Sequence, residues 1–205
     1  MVWDSRASAV VRVWGLGVAL ATAGALSGAT LMVGDVHLSV PGVRDAVAVL
    51  HTLPGLTAVA LAFPLVDRTP DLTLMATVPP WRHFAMRFAA VVALSMPVAA
   101  CVHAALWSIA GAGAVLGFVG LAAVGCACLG LWYWGPTLLL SFGWIHWPGR
   151  DEAALADPIW LVAWLGLLGL CGAGYVAISV RRVQRVVRAA GTSSESRRGA
   201  DTIRP

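Results

Sequence analysis

Long apolar stretches alternate with short charged ones along this chain. A helix needs about 20 apolar residues to cross a bilayer, and windows of that length lie at approximately 13–33, 46–66 and 159–180. A fourth stretch, 85–147, has the length of three such windows and carries no charged side chain other than Arg87. The pattern therefore predicts about six membrane-spanning helices and an all-α integral membrane protein.

Glycine and proline indicate where these spans end or bend. They interrupt the longest apolar stretch near 108–113 and near 133–136, which divides it into three spans. Pro54 and Gly55 lie in the middle of the second span. A kink is predicted there, because proline removes a backbone hydrogen bond and clashes with the preceding turn.

Composition limits the domain organisation. Of the 205 residues, 59% are hydrophobic and only 12% are charged, which is more apolar surface than a soluble core can use. One transmembrane domain over residues 1–190 leaves no room for an additional folded catalytic domain. Residues 191–205 are serine-rich and charged, a composition that predicts a disordered tail.

The arginines predict the orientation in the membrane. If both termini and the segment 67–87 lie on one side, that side carries twelve of the fourteen basic residues, and only Arg44 and Arg150 lie on the other. Because cytoplasmic loops are enriched in basic residues, both termini are expected in the cytoplasm. All fourteen basic residues are arginine, a composition that suggests a GC-rich genome, so we expect a multi-pass protein of a bacterial plasma membrane. The arginines adjoin apolar spans, so the net charge of +4 indicates anionic lipid as a partner and not nucleic acid.

The charged segment between the second and third spans predicts a short helix lying on the membrane surface. Thr69 is a suitable cap, and Pro70 and Asp71 suit the first helical turn. Leu74, Met75 and Val78 share one face by their spacing of three and four residues.

The residues that follow indicate the start of the third span. Pro79 and Pro80 end the short surface helix, because the residue before a proline avoids the helical region. Trp81 then suits the interface, and Arg82 and Arg87 are expected to anchor the third span near lipid phosphates. A simple interfacial loop that only joins the two spans is the alternative.

The segment 67–80 resembles the cytoplasmic loop between the second and third helices of type-2 ABC exporter permeases. That loop commonly has an acidic residue and arginine, a turn, a further acidic residue, and a leucine-rich helix that ends in a small residue and proline. Here the matching residues are Asp67-Arg68, Thr69-Pro70, Asp71, Leu72 to Ala76, Thr77 and Pro79. The family's usual loop glycine is replaced by Pro70, and the region before the last span is short for the family.

The resemblance implies a function as well as a fold. In that family the loop is a coupling helix that docks into a separate ATP-binding subunit, and two permease chains form a homo- or heterodimer. The expected contact residues for that subunit are Asp67, Arg68, Asp71, Leu72, Leu74, Met75, Val78 and Pro79. The chain would then be a transport subunit that carries no cofactor of its own, with ATP bound on the partner.

The motifs of an enzyme are missing from the sequence. No GxxxxGK[ST] phosphate loop occurs, so the chain is not expected to hydrolyse ATP itself. The predicted spans contain no carboxylate, which leaves no buried acid or base pair for catalysis.

An alternative interpretation starts from histidines. His51 and His103 lie about five residues from the outer ends of their spans, hence at similar depth, and His146 lies near the same level. Imidazole binds haem, copper and zinc, and Cys126 and Cys128 add soft ligands. The chain would then be a membrane anchor or scaffold of a larger complex that holds a haem or a metal. Histidines that hydrogen-bond between helices fit the same pattern without any metal.

Small residues predict close helix packing in the fourth span. Gly113 and Gly117 are four residues apart and therefore lie on one helix face, where a second helix could approach closely. That contact could form within the chain or between two copies.

Overall fold

The structure, a computed structural model, describes residues 15–33, 36–38, 47–66, 79–106, 109–146 and 158–201. These residues form six α-helices and one pair of two-residue antiparallel strands, β1 and β2. The helices are α1 (Leu16–Met32), α2 (Leu53–Leu61), α3 (Pro80–Leu106), α4 (Ile109–Leu129), α5 (Trp134–Ile145) and α6 (Pro158–Asp201), and the strands are β1 (His37–Leu38) and β2 (Val47–Ala48). Short 3-10 turns cover Val49–Thr52, Phe63–Leu65 and Gly130–Tyr133.

The prediction of an all-α membrane protein is confirmed. The described residues contain three stretches that are long and apolar enough to cross a bilayer: Pro80–Ala105, Ile109–Ile145 and Pro158–Arg188. Helix α1 and the stretch Val49–Leu65 are apolar but shorter.

Helix α4 lies at the centre of the bundle. It packs against α2, α3, α5 and α6, and every residue from Ala110 to Gly120 except Ala112 is buried. A helix that is apolar on all sides is expected in such a central position. This central position suits the many glycines of α4, because each one allows a neighbouring helix to approach closely.

The predicted close approach at Gly113 and Gly117 occurs between α4 and α6. The indole of Trp164 lies against both glycines, and a Cβ atom added at Gly117 would collide with it. Trp164 also contacts Phe118, with ring centroids 5.8 Å apart, and Trp144, at 5.5 Å. The glycine pair therefore serves packing within one chain.

Two ends of the bundle can be distinguished by their contacts. At one end, which we call the Arg87 end, the residues that follow α2 meet the first part of α3. There Arg87 is hydrogen-bonded to the carbonyl of Val66. The C-terminal part of α4 is there as well, since the carbonyl of Cys128 accepts a hydrogen bond from Arg182 of α6. At the other end, the His51 end, the turn Val49–Thr52 packs against α5.

Three local predictions differ from the structure. No kink occurs at Pro54, because α2 begins only at Leu53 and Pro54 lies in its first turn, where a missing N–H costs nothing. The break predicted at 108–113 lies at the start of that range, since α3 ends at Leu106 and α4 begins at Ile109, and Gly113 is used for packing and not for the break.

The third difference concerns the C-terminal tail. Helix α6 continues through Gly191 to Asp201, over residues whose composition predicts disorder. Once a helix is nucleated, each further residue adds a hydrogen bond, so a long apolar helix can extend into a polar sequence.

Candidate functional site

The C-terminal end of α2 leaves backbone carbonyls that need partners. The last four carbonyls of any helix have no intrahelical donor. Here the α-helix ends at Leu61, a 3-10 turn follows at Phe63–Leu65, and Pro64 in that turn has no N–H to donate. In apolar surroundings each unpaired carbonyl is costly, so donors must come from elsewhere.

Three of those donors are side chains from other parts of the bundle. The hydroxyl of Tyr133, which precedes α5, donates to the carbonyl of Val59 at 2.6 Å. The thiol of Cys126 lies 3.6 Å from the carbonyl of Ala62, which also accepts the backbone N–H of Leu65 at 2.8 Å. The hydroxyl of Tyr175 in α6 donates to the carbonyl of Leu65 at 3.1 Å.

Arg87 of α3 provides the remaining donors. Its Nε donates to the carbonyl of Pro64 at 3.0 Å, Nη2 donates to the same oxygen, and Nη2 also donates to the carbonyl of Val66 at 3.1 Å. Only 5% of the residue is exposed. The expectation that Arg87 reaches lipid phosphates is therefore wrong. The unpaired carbonyls of α2 offer several acceptors close together, and a guanidinium with five N–H groups can bond them at once.

We call this set of contacts the carbonyl clamp. It joins the side chains of Arg87, Cys126, Tyr133 and Tyr175 to the carbonyls of Val59, Ala62, Pro64, Leu65 and Val66. By contrast, Arg82 is exposed, with its guanidinium carbon 5.2 Å from the centre of the Trp81 ring.

Aromatic packing holds the clamp in position. Tyr175 is fully buried, and its ring meets Phe84 edge-on with centroids 6.0 Å apart. Phe88 packs against the same tyrosine ring at 6.1 Å. Because these contacts restrict the ring, the hydroxyl is directed at Leu65 without a further loss of side-chain freedom.

The clamp fixes the chain immediately before the charged segment 67–78. The predicted contact residues Asp67, Arg68, Asp71, Leu72, Leu74, Met75 and Val78 lie outside the described residues. Pro79 is described: it is exposed, and its carbonyl accepts the backbone N–H of Arg82 at 3.0 Å at the start of α3. Val66 and Pro79, the described residues on either side of the segment, both lie at the Arg87 end.

The three histidines considered as metal ligands, His51, His103 and His146, lie in different environments. His103 is exposed on α3, whereas His51 is half-buried in the turn before α2. Nδ1 of His146 lies 2.8 Å from the carbonyl of Phe142 in its own helix. Over the described part of the chain, no group of three His, Cys, Asp or Glu side chains is placed to hold a metal ion.

The cysteine pair is divided between two environments. Cys126 is buried and takes part in the clamp, whereas Cys128 is exposed. The two thiols therefore do not form a shared pair of soft ligands.

The sequence contains two signals for the clamp. Arg87 is the only charge in a long apolar stretch, and a charge at such a position normally faces the bundle interior with polar partners. The chain has only two tyrosines, and both donate a hydrogen bond to α2. Buried tyrosine hydroxyls usually find a partner, although the sequence does not show which one.

No protein family, no curated protein and no solved structure matches the chain.

Proposed function

We propose that this chain is the membrane-spanning permease subunit of an ABC-type exporter, driven by ATP hydrolysis on a separate subunit. The observation that carries the proposal is the carbonyl clamp, which attaches the end of α2 to α3, α4 and α6 directly before the segment that resembles a coupling helix. A segment through which a partner moves the bundle needs a firm attachment, because otherwise the motion would be lost in the connection.

The proposed topology has six spans, with both termini and the segment 67–78 in the cytoplasm of a bacterial cell. Helices α3 and α6 run in opposite directions, which six spans require of the third and the sixth: Phe88 near the start of α3 lies against Gly172 in the second half of the apolar part of α6. The arginine distribution supports a cytoplasmic Arg87 end.

The proposed mechanism is a change of helix tilt. Closure of two ATP-binding subunits moves the docked segment 67–78, and the clamp transfers this motion to α3 through Arg87 and to α6 through Tyr175. The partner can shift the equilibrium only through contacts that differ between the two states. This chain forms one half of a membrane dimer, with an identical or related permease chain as the other half.

The test is purification of the tagged full-length chain from its own cells in mild detergent, followed by measurement of vanadate-sensitive ATPase activity. We expect activity with the wild-type chain and its loss with the double variant Asp71→Arg/Leu74→Asp, which reverses the charge and removes an apolar contact of the proposed docking face. The matched control is Asp157→Arg/Ala154→Asp, placed in the loop before α6 on the proposed outer side.

Two results would contradict the proposal. One is wild-type protein without ATPase activity, which would favour a scaffold. The other is equal loss of activity in the control variant, which would show that the segment 67–78 has no special role. Topology is tested separately, by labelling Thr73→Cys and Asp157→Cys in a cysteine-free background with an impermeant maleimide in intact cells. Only the second cysteine should react.

A further inference from the structure

A cavity of about 400 Å³ opens at the Arg87 end, between α2, α3, α4 and α6. Most of its wall is apolar, and the side chains that form this part are Leu65, Val66, Phe84, Ala127, Val183 and Val186. The volume falls within the range of roughly 300–1,000 Å³ that is typical of small-molecule sites. The cavity adjoins the carbonyl clamp, because Val66 and Cys126 belong to both.

Two arginines of α6 line the same cavity. Both Arg182 and Arg185 are exposed. Nη2 of Arg182 donates to the carbonyl of Cys128 at 3.0 Å, and the rest of that guanidinium is available to a ligand. Arg185 has no hydrogen bond or ion pair to any other described residue. The cavity therefore combines apolar walls with a positively charged rim.

A serine also lines this cavity. Ser179 lines the cavity and is 7% exposed. Its hydroxyl has no hydrogen-bond partner among the described residues, whereas the helical Ser95 bonds to a carbonyl of its own helix at 2.7 Å. This hydroxyl is therefore available to bond a ligand oxygen in the cavity.

We propose that this cavity binds an amphipathic anion: an acyl chain against the apolar wall, with its carboxylate or phosphate bonded by Arg182, Arg185 and Ser179. Guanidinium groups bind such anions through strong charge-assisted hydrogen bonds. Neither a purely polar anion nor an uncharged hydrocarbon matches both parts of the wall. The inference concerns this cavity alone and does not depend on an ATP-binding partner.

The experiment is native mass spectrometry of the purified full-length chain in a non-ionic detergent, titrated with three probes. These are palmitate, phosphatidylglycerol, and hexadecyltrimethylammonium, which has a tail of the same length but a positive head. We expect one equivalent of palmitate, of phosphatidylglycerol or of each to be retained, and hexadecyltrimethylammonium to be lost. Retention of palmitate alone indicates a free amphiphile, and retention of phosphatidylglycerol indicates a membrane lipid.

Variants locate the site. Arg185→Gln should weaken binding of the retained anion by about tenfold, the scale of one charge-assisted bond. The variant loses no hydrogen bond or ion pair to another described residue. Ser179→Leu, which fills the cavity, should weaken binding further, with the melting temperature as a check on folding. The control is Arg181→Gln, since Arg181 carries the same charge on the same helix but lines a different groove.

Two outcomes would overturn the proposal. Equal retention of hexadecyltrimethylammonium would show that charge does not matter, and equal weakening by Arg181→Gln would show that the anion does not lie in this cavity.

Discussion

The two ends of α2 obtain their hydrogen bonds from different parts of the chain. At the His51 end, partners are near in sequence: the hydroxyl of Thr52 donates to the carbonyl of Val49 at 2.7 Å, and the N–H of Val49 donates to the carbonyl of Val36 at 2.9 Å. At the Arg87 end, the side-chain donors lie between 21 and 110 residues from their carbonyls. One end can form locally, whereas the other exists only when the bundle is assembled.

The difference bears on stability and motion. A local hydrogen bond is lost and regained without moving another helix. At the Arg87 end, any displacement of α3 or α6 changes a bond to α2, since Arg87 and Tyr175 belong to those helices. We therefore expect substitutions at the Arg87 end to have the larger effects.

The largest effect is expected from Arg87→Leu. The substitution leaves the carbonyls of Pro64 and Val66 without the donors that bond them in the structure. An unsatisfied buried group costs about 1–3 kcal/mol, so the free energy of unfolding should fall by roughly 3 kcal/mol or more. Thermal unfolding in detergent, or equilibrium unfolding in mixed micelles, measures the change.

Arg82→Leu is the control for this prediction. Arg82 is exposed on the same helix, and surface substitutions usually change stability by about 0.5 kcal/mol or less. If both variants lowered the free energy of unfolding by a similar amount, the hydrogen bonds of Arg87 in the clamp would not contribute to stability.

Tyr175→Phe should have a smaller effect, because it removes one hydrogen bond and keeps the ring. Its contacts with Phe84 and Phe88 remain, and the carbonyl of Leu65 loses its donor. A loss of about 1 kcal/mol is expected. Tyr133→Phe, which leaves the carbonyl of Val59 without its donor, should behave alike. Unchanged stability in both variants would argue that water satisfies these carbonyls.

Thr57→Val should change stability in the opposite direction. Thr57 is fully buried in α2, between the two ends, and its hydroxyl has no partner in the structure. Replacing an unsatisfied hydroxyl by a methyl group should raise the free energy of unfolding by up to about 1 kcal/mol. The control is Thr30→Val, because the equally buried Thr30 donates to the carbonyl of Leu26 at 2.7 Å. Destabilisation by both substitutions would show that Thr57 has a partner.

The smallest effect is expected from Thr52→Val at the His51 end. Its hydroxyl bonds a carbonyl three residues earlier and is only half-buried, so solvent can replace it. The expected loss is about 0.5 kcal/mol or less. A loss as large as that of Tyr175→Phe would remove the contrast between the two ends.

The sequence predicts the parts of this fold that depend on neighbouring residues. Apolar length predicts the helices, and the four-residue spacing of Gly113 and Gly117 predicts a close helix contact. It does not say that Trp164 occupies that contact, because the pairing of helices is decided by packing over the whole bundle. For the same reason the sequence predicts that Arg87 anchors α3 near lipid phosphates, although its acceptors in the structure are the carbonyls of Pro64 and Val66.

The candidate site also has one part that the sequence predicts and one part that depends on packing of the whole bundle. The motif at 67–80 can be read from its residues alone. The clamp cannot, since its donors come from distant parts of the chain, and the sequence does not show which of them reach the carbonyls at the end of α2. A proline in the last turn of a span, followed by an isolated arginine in the next one, is the signal to look for in related chains.

The left-handed glycine that ends α4 has a consequence for the surrounding lipid. Gly130 has a φ of 62°, and it reverses the chain so that α5 has only 12 residues. At about 1.5 Å per residue α5 is roughly 18 Å long, well short of a hydrocarbon layer of about 30 Å. Exposed Trp132 and Trp134 stand at its start. If α5 crosses the bilayer on its own, local thinning of the bilayer would accommodate its length, and shorter acyl chains should relieve this hydrophobic mismatch.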